Sequence, residues 1–261
     1  MINFDVLDGD IRSLAQKFRG MRPFPHIVLD DFADTAKLNR ALASIPSPGS
    51  TKINKSRDYI FAKNKFEKAN FKELSAEFLE LYEDFVSDRF SALLLGITGE
   101  RVFVDKQFFG GGVHQGGEGS FLDMHADFNY HPLHNNWFRN LNILLYLNKD
   151  WLPDHGGQLK LRHATTGESV EVEPLFNRCV LMFTREYTLH GYDKITFPQG
   201  RFRRSIAAYA YSLHEHPTES YRSTRWQPES GSIFKKAIGS NWPKLVRVKN
   251  LLFGIGTKGN Q

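Results

Sequence analysis

The middle of the chain, residues 101 to 214, consists of short β-branched or alternating apolar runs with little room for helices between them. The runs are "VFVDKQFF", "LNILLYL", "QLKLRH", "SVEVEP", "RCVLMFT" and "SIAAYAYS", and the turn signals "DHGG", "TTGE" and "FPQG" lie between some of them. Closely spaced short strands are typical of sandwiches and barrels. The pattern therefore favours one of these over a parallel α/β sheet, whose strands alternate with helices.

The segments on either side have a different character. Residues 1–100 are mostly helical in period, as in "IRSLAQKF", "TAKLNRALASI" and "FKELSAEFLELYEDFVSDRFSALLLGI", and "PFPHIVLDDF" interrupts them as one predicted strand. Residues 215–261 begin with the polar, turn-rich "PTESYRSTRWQPESGS" and end in a basic tail. We expect a helical support region with one strand over 1–100, a β domain over 101–214, and a connector with a basic tail over 215–261.

Composition limits the cellular setting and the partners. With 261 residues and 41% hydrophobic content, the chain can bury one substantial core. The single cysteine, Cys179, excludes an internal disulfide framework and fits a reducing compartment. The N-terminal "MINFDVLDGD" lacks the features of a signal peptide, and "ALLLGI" is too short to span a bilayer. We expect a cytoplasmic protein that does not use a membrane.

The net charge of +5 is concentrated near the C-terminus. The stretch from residue 234 to 260 has no acidic residue, and its cations are Lys235, Lys236, Lys244, Arg247, Lys249 and Lys258. Such a tail could bind nucleic acid or an anionic membrane surface. A solvated basic helix face is the favoured interpretation, because charge runs usually serve solubility.

The stretch "FLDMHADFNYHP" places Asp123, His125 and Asp127 two residues apart. Side chains two apart in a strand share a face, so His125 and Asp127 can converge on one metal ion. His155, His163 and His190 are candidates for a third ligand, and His190 in "YTLHGYDKI" directly follows a buried-looking strand. Two histidines and one carboxylate leave open positions on an octahedral Fe(II). Asp123 could orient a ligand imidazole or face solvent.

The stretch "RFRRSIAAYAY" supplies an arginine at the start of a strand. An arginine that points into a barrel is costly unless it pairs with an anion, and its planar guanidinium suits a carboxylate such as C5 of 2-oxoglutarate. Alternation places Arg203, Ser205 and Ala207 on one face and Arg204 on the other, and Arg201 stays an alternative at this point.

The stretch "RNLNILLYLNKDWLPDHGGQLKL", residues 139 to 161, resembles the signature of the prolyl-hydroxylase-like 2-oxoglutarate and Fe(II)-dependent oxygenases. This resemblance implies a mostly β fold with flanking helices, the double-stranded β-helix or jelly roll. It implies that His125, Asp127 and His190 hold iron and that Arg203 and Tyr146 bind the C5 carboxylate of 2-oxoglutarate. It also implies that Arg139 borders the substrate site and that ascorbate can serve as an accessory reductant. Asn129, His131 and His134 follow in a polar loop at the expected barrel mouth, where they either contact the substrate or have no specific role.

The chemistry that the resemblance implies is hydroxylation of an unactivated C–H bond, with release of succinate and CO2. Related halogenases lack the ligand carboxylate, so Asp127 favours hydroxylation. The expected substrate is a small molecule, an amino acid or a peptide, and the sequence leaves its identity and the oligomeric state open. A nucleic-acid demethylase of the same superfamily is disfavoured, because that group carries a second arginine where Tyr209 stands. A non-catalytic jelly-roll binding module is disfavoured, since no ligand is missing.

Overall fold

The computed structural model describes residues 1–48, 50, 54–55, 58, 60–198, 200–217, 219–229, 235, 237–239 and 241–242. Its helices are α1 (Phe4–Gly9), α2 (Ile11–Gly20), α3 (Thr35–Ala43), α4 (Ala76–Phe85) and α5 (Asp88–Thr98), with 3-10 turns at Phe71–Glu73 and Pro153–His155.

The strands form one curled antiparallel sheet. They are β1 (His26–Leu29), β2 (Asn54–Lys55), β3 (Ala62–Lys68), β4 (Phe103–Val104), β5 (Gly112–Ala126), β6 (Tyr130–His131), β7 (His134–Tyr146), β8 (Leu159–His163), β9 (Ser169–Val172), β10 (Cys179–Phe183), β11 (Thr188–Tyr192), β12 (Arg203–Leu213) and β13 (Arg225–Trp226). The hydrogen-bonded order is β1-β10-β7-β12-β5-β11-β8-β9, and β3 and β13 also pair with β5. Neighbours in space are distant in sequence, as a jelly roll requires. The predicted mostly β fold with flanking helices is confirmed.

Side chains along the central strands alternate between two faces of the sheet, one covered by the helices and one facing a cavity. On β7, Ile143 and Leu145 belong to the main hydrophobic core, which also contains Phe78, Phe85 and Phe90 from the helices. The intervening positions of β7 and β12 point to the other side, where a cavity lies. The period of two in the sequence thus places apolar residues under the helices and polar residues around the cavity.

Serine caps divide the long helical region into two helices. The Ser75 hydroxyl accepts a hydrogen bond from the Phe78 backbone N–H, and the Ser87 hydroxyl accepts one from the Phe90 N–H. Each serine therefore satisfies a backbone donor that a helix start leaves unpaired. Gly99 ends α5 in the left-handed region with φ of 78°, where glycine is favoured because it has no Cβ.

Two strands differ from the sequence-based expectation. Residues 1–100 contain β2 and β3 in addition to the one predicted strand, β1. The sequence of β3, "AKNKFEK", is charged and rich in residues that strands disfavour. It forms because it pairs with β5, from Ala62 opposite Leu122 to Lys68 opposite Val113. The glycine-rich first half of β5 also lacks a strand pattern in sequence, and pairing with β3 and β12 holds it extended.

The segment after residue 214 returns to the sheet. β13 pairs Arg225 with Ala126 and Trp226 with His125. The ammonium group of Lys235 lies 2.7 Å from the Asp123 carboxylate. Most of the predicted basic tail, residues 243–261 and Lys236 included, lies outside the described residues. None of the helices in the described ranges combines the length and the apolar character needed to cross a bilayer. The division of the chain into three segments stays a prediction.

Candidate functional site

Two adjacent antiparallel strands bring the histidines of the predicted triad together. His190 on β11 lies directly opposite His125 on β5, and Asp127 follows the end of β5. One potential ligand atom from each of these three buried residues lies within 4.8 Å of the others. Gly191 permits the close approach of the two strands, because a Cβ there would lie 2.6 Å from the Leu122 carbonyl oxygen.

Hydrogen bonds fix how these groups face the shared point. The Nδ1 of His125 lies 2.8 Å from the Asp123 carbonyl oxygen, which can only accept, so Nδ1 carries the proton and Nε2 keeps its lone pair. Asp127 Oδ2 accepts hydrogen bonds from Arg139 Nη2 at 3.0 Å and from Asn142 Nδ2 at 2.8 Å. Oδ1 stays turned towards His125, whose Nε2 is 3.6 Å away. Ligand orientation by such outer partners is a regular feature of metal sites.

The electrostatic setting keeps this donor set ready for a cation. Burial acts to raise the pKa of Asp127, but the charge of Arg139 opposes it and the pKa lies well below the usual range, so the carboxyl is ionised. Burial lowers the pKa of His190 to about 3, which leaves the ring neutral near pH 7. A neutral imidazole and an ionised carboxylate are the forms that bind metal. Two imidazoles and one carboxylate fit Fe(II) with positions left for other ligands.

The triad opens into a cavity of about 210 Å³. Arg203, Tyr146 and Tyr192 also line this cavity. Arg203 is 7% exposed; its Nε donates to the Gly157 carbonyl at 2.6 Å and its Nη2 donates to the Tyr146 hydroxyl at 3.3 Å. The guanidinium also lies 4.2 Å from the Tyr192 ring centre. The remaining N–H groups of this cation can therefore hold a carboxylate in a bidentate manner.

The two arginines that the sequence could not separate with certainty occupy different environments. Arg203, Ser205, Ala207 and Tyr209 line the cavity together, as the alternation predicts. The Arg201 guanidinium lies at the surface, where it donates to the carbonyl oxygens of Lys149 and Asp150. Only Arg203 of the two faces the cavity.

The three residues expected near the substrate are buried and engaged internally. Arg139 is 2% exposed and bonds Asp127 and Asn142, with its guanidinium 3.5 Å from the Tyr209 ring centre. Asn129 is held by the segment after β12, since its side-chain oxygen accepts from the Arg222 backbone N–H at 2.7 Å. None of these three residues is among those that line the cavity.

The third residue, His131, is held by contacts with neighbouring residues. Its Nε2 lies 3.6 Å from an Asp105 carboxylate oxygen, and its Nδ1 accepts from the Leu133 N–H. The remaining loop histidine, His134, stacks on the Trp137 ring at 4.0 Å between ring centres. These positions fit a structural role for the loop histidines.

Asp123 orients His125 through its backbone rather than its side chain. Its carbonyl receives the imidazole proton, and its carboxylate pairs with Lys235. Burial, the largest influence, raises the pKa of this carboxyl, and the Lys235 ammonium partly offsets the effect. The sequence-based alternatives, in which the carboxylate orients an imidazole or faces solvent, did not include this role of the backbone.

The segment from residue 219 to residue 227, which we name the C-terminal strap, packs against the end of β5, which carries His125. Arg222 Nη1 donates to the Asp127 carbonyl at 2.6 Å. The Trp226 ring lies 4.7 Å from that of His125 and stacks on Phe61 at 4.9 Å. The sequence predicts only a polar connector here, because the stretch has neither apolar periodicity nor a recognisable motif. The large aromatic residue Trp226 within this polar stretch is the sequence feature that indicates packing against the domain.

Residues 111–211 match the family model described as the 2OG-Fe(II) oxygenase superfamily. This segment of the chain therefore matches the 2-oxoglutarate/Fe(II)-dependent oxygenases. The matched range includes the whole triad, Tyr146 and Arg203, and the site's donor set and buried arginine fit the two cofactors of this family, Fe(II) and 2-oxoglutarate. Comparison with characterised protein sequences gave no significant match.

Solved structures share the fold of the oxygenase at low sequence identity. A prolyl 4-hydroxylase from Pseudomonas putida has a TM-score of 0.54 at 18% identity, covering 76% of this chain and 98% of that one. A prolyl hydroxylase from Trichoplax adhaerens, in complex with a hypoxia inducible factor peptide fragment, has a TM-score of 0.55 at 14% identity, covering 80% and 90%. The α-ketoglutarate-dependent epimerase SnoN of nogalamycin biosynthesis has a TM-score of 0.54 at 12% identity, covering 87% and 89%.

Proposed function

We propose that the oxygenase hydroxylates an unactivated C–H bond of a small-molecule, amino-acid or peptide substrate. In this proposal His125, Asp127 and His190 hold Fe(II), while Arg203 and Tyr146 hold the C5 carboxylate of 2-oxoglutarate. When bound, the two cofactors supply the oxidation, in which O2 is consumed and 2-oxoglutarate is converted to succinate and CO2. The observation that carries the proposal is that the triad and the buried arginine line one cavity.

The protein's own residues have three tasks in this scheme. Arg139 and Asn142 hold Asp127 Oδ2 and thereby fix the carboxylate beside the two imidazoles. Arg203 anchors the far end of the cosubstrate and thereby fixes the distance of its other end from the triad. Trp226 covers the His125 ring and limits access of water on that side. Such positioning and water exclusion are what a protein contributes to cofactor chemistry.

The fold alone does not distinguish hydroxylation from other oxidations, since SnoN is an epimerase. Hydroxylation is supported by the carboxylate at position 127, which occupies a position that halogenation would need free. Demethylation of nucleic acid receives no support from the site. Tyr209, which stands where that group has its second arginine, lies against Arg139 and donates to the Gly110 carbonyl oxygen.

The experiment that tests the proposal measures iron binding and succinate formation together. Under anaerobic conditions, Fe(II) and 2-oxoglutarate should produce a weak visible charge-transfer band with the wild-type protein. Succinate release is then screened with O2 over amino acids, peptides and cell extract. Asp127→Ala should lose the band and all coupled turnover, because one of three ligands is removed.

The matched control is Asp193→Ala, which removes a carboxylate that is 70% exposed and pairs with Lys160 at the surface. It should keep the band and the turnover. The absence of a charge-transfer band in the wild-type protein, or its persistence in Asp127→Ala, contradicts the proposed site.

A further inference from the structure

One cation in the cavity has no partner in the described part of the chain. The charged residues that line the cavity are Lys65, Asp127 and Arg203. Asp127 is paired with Arg139, and Arg203 is held by Gly157 and Tyr146. The half-buried Lys65 has no hydrogen bond or ion pair through its ammonium group within the described ranges. An ordered strand thus presents an uncompensated ammonium to the interior of an active site.

The sheet register places Lys65 beside the proposed cosubstrate anchor. Lys65 on β3 lies opposite Gly116 on β5, and Gly116 lies opposite Arg203 on β12. Directly opposed residues in antiparallel strands project to the same face. Gly116 has no side chain to separate the two cations, and a Cβ there would lie 2.7 Å from Ser120 Oγ. No side chain of β5 therefore lies between Lys65 and Arg203 at this level of the sheet.

A second polar group next to Lys65 also lacks a partner. His114 lies two residues before Gly116 on the same face of β5, and its Nε2 is buried without a hydrogen-bond partner within the described residues. Burial, helped by the charge of Lys65, lowers the pKa of His114 to about 3. The ring is therefore neutral near pH 7 and adds no charge beside Lys65. Buried polar atoms of this kind normally have a partner.

The charges of the loaded site identify what that partner would be. Fe(II), Lys65 and Arg203 contribute positive charge at the cavity wall, whereas Asp127 and the two carboxylates of 2-oxoglutarate contribute negative charge. Of the charged side chains that line the cavity, the ammonium of Lys65 is the one without a counterpart in the described part of the chain. A carboxylate carries one negative charge on two acceptor oxygens and therefore matches a single ammonium.

We propose that Lys65, beside the neutral His114, binds a carboxylate of the substrate, so that the oxygenase acts on a carboxylate-bearing molecule such as an amino acid or a peptide terminus. This inference rests on the proposed function, since it assigns the substrate class of the same site. Lys65 is then a residue that determines specificity. A substrate whose nearest group is an amide or an ester would leave the ammonium unpaired in a partly desolvated position.

The test uses a simple carboxylate as probe and does not require the natural substrate. The protein is loaded anaerobically with Mn(II) and 2-oxoglutarate, and the relaxation rates of acetate and acetamide protons are titrated. Acetate held at Lys65 lies near the paramagnetic ion, so its protons should relax faster in a saturable manner, whereas acetamide should show no saturable effect. Lys65→Met should weaken acetate binding at least tenfold.

Two further variants test whether acetate binding depends on the positive charge at position 65 itself. Lys65→Arg keeps the positive charge and should retain acetate binding. Lys63→Met removes an exposed lysine from the same strand and should behave as wild type. Equal effects of acetate and acetamide on the wild type, or acetate binding unchanged in Lys65→Met, would overturn the inference.

A parallel titration of 2-oxoglutarate distinguishes substrate from cosubstrate. Its affinity for the Mn(II)-loaded protein should be the same in Lys65→Met and in the wild type. A tenfold loss would assign Lys65 to the cosubstrate and overturn the inference, while leaving the proposed function intact. Failure of the wild type to bind Mn(II) and 2-oxoglutarate at all is a different result, because it would remove the proposed function itself.

Discussion

Replacement of Arg203 by methionine gives the sharpest test of how the site holds 2-oxoglutarate. Methionine approximates the length of the arginine stem but carries neither charge nor hydrogen-bond donors. The Arg203 Nε is already committed to Gly157, and one Nη2 donor is committed to Tyr146. The donors that remain on Nη1 and Nη2 can form two charge-assisted hydrogen bonds to one carboxylate.

Each such bond is worth roughly 1.5 kcal/mol at the low end for charged groups. Loss of two bonds corresponds to about 3 kcal/mol, which is roughly a 100-fold weaker affinity for 2-oxoglutarate. Burial of the guanidinium supports this range rather than a smaller one, since solvent screens a buried pair little. Arg203→Lys keeps the charge but loses the planar fork, so its affinity should fall between those of Arg203→Met and the wild type.

The assay is anaerobic titration of the Fe(II)-loaded protein with 2-oxoglutarate, followed by the charge-transfer band. Arg201→Met is the matched control, because Arg201 binds surface carbonyl groups two residues away. It should bind 2-oxoglutarate as the wild type does. A threefold or smaller loss in Arg203→Met would refute the assignment, and a large loss in Arg201→Met would show that the strand register is wrong.

Three further predictions follow from other parts of the structure. Because the folded-state pKa of His114 is lowered to about 3, the metal-free protein should lose stability as pH falls below about 6.5, by at most about 1.4 kcal/mol per pH unit from this group. Urea unfolding of wild type and His114→Gln between pH 7 and 5 should show a shallower loss in the variant, and equal slopes would contradict this. Arg222→Ala should weaken Fe(II) binding by about 10-fold to 100-fold, because it removes the hydrogen bond to the Asp127 carbonyl. Competition with a chelator measures the affinity, and an unchanged value would show that Arg222 does not position Asp127. Phe90→Ala removes a fully buried ring that packs among Phe4, Phe32 and Phe85. The free energy of unfolding, measured by denaturant titration, should fall by about 3–5 kcal/mol. A decrease below about 1 kcal/mol would contradict the described packing.

The parts of the fold that could be predicted from sequence are those where one residue pattern determines one face. The runs around Ile143, Leu181 and Ile206 are apolar in the period of a strand, and all three residues lie in the main core. The same rule placed Arg203 on the cavity side and brought His125 and Asp127 towards each other. Strand period and side-chain chemistry are local properties, so one sequence is enough to use them.

The parts that could not be predicted depend on contacts between distant segments. The strand β3 has no local preference for extended structure and is stabilised by β5. Asn142 lies in the apolar run "LNILLYL", and its hydrogen bond to Asp127 forms only because the folded chain brings β7 close to the end of β5. The placement of Arg139 behind Asp127 rather than at an open substrate surface depends on the same packing. Sequence spacing has no information on such neighbours.

The C-terminal strap has a practical consequence for work on this oxygenase. The family match ends at residue 211, yet Arg222, Trp226 and Lys235 all contact the strand that carries His125. A shortened protein that stopped at the end of the matched range would lose the cover of one imidazole and the clamp on the neighbouring carbonyl. The smallest catalytically competent fragment should therefore extend beyond Trp242, whose ring also packs against Phe61.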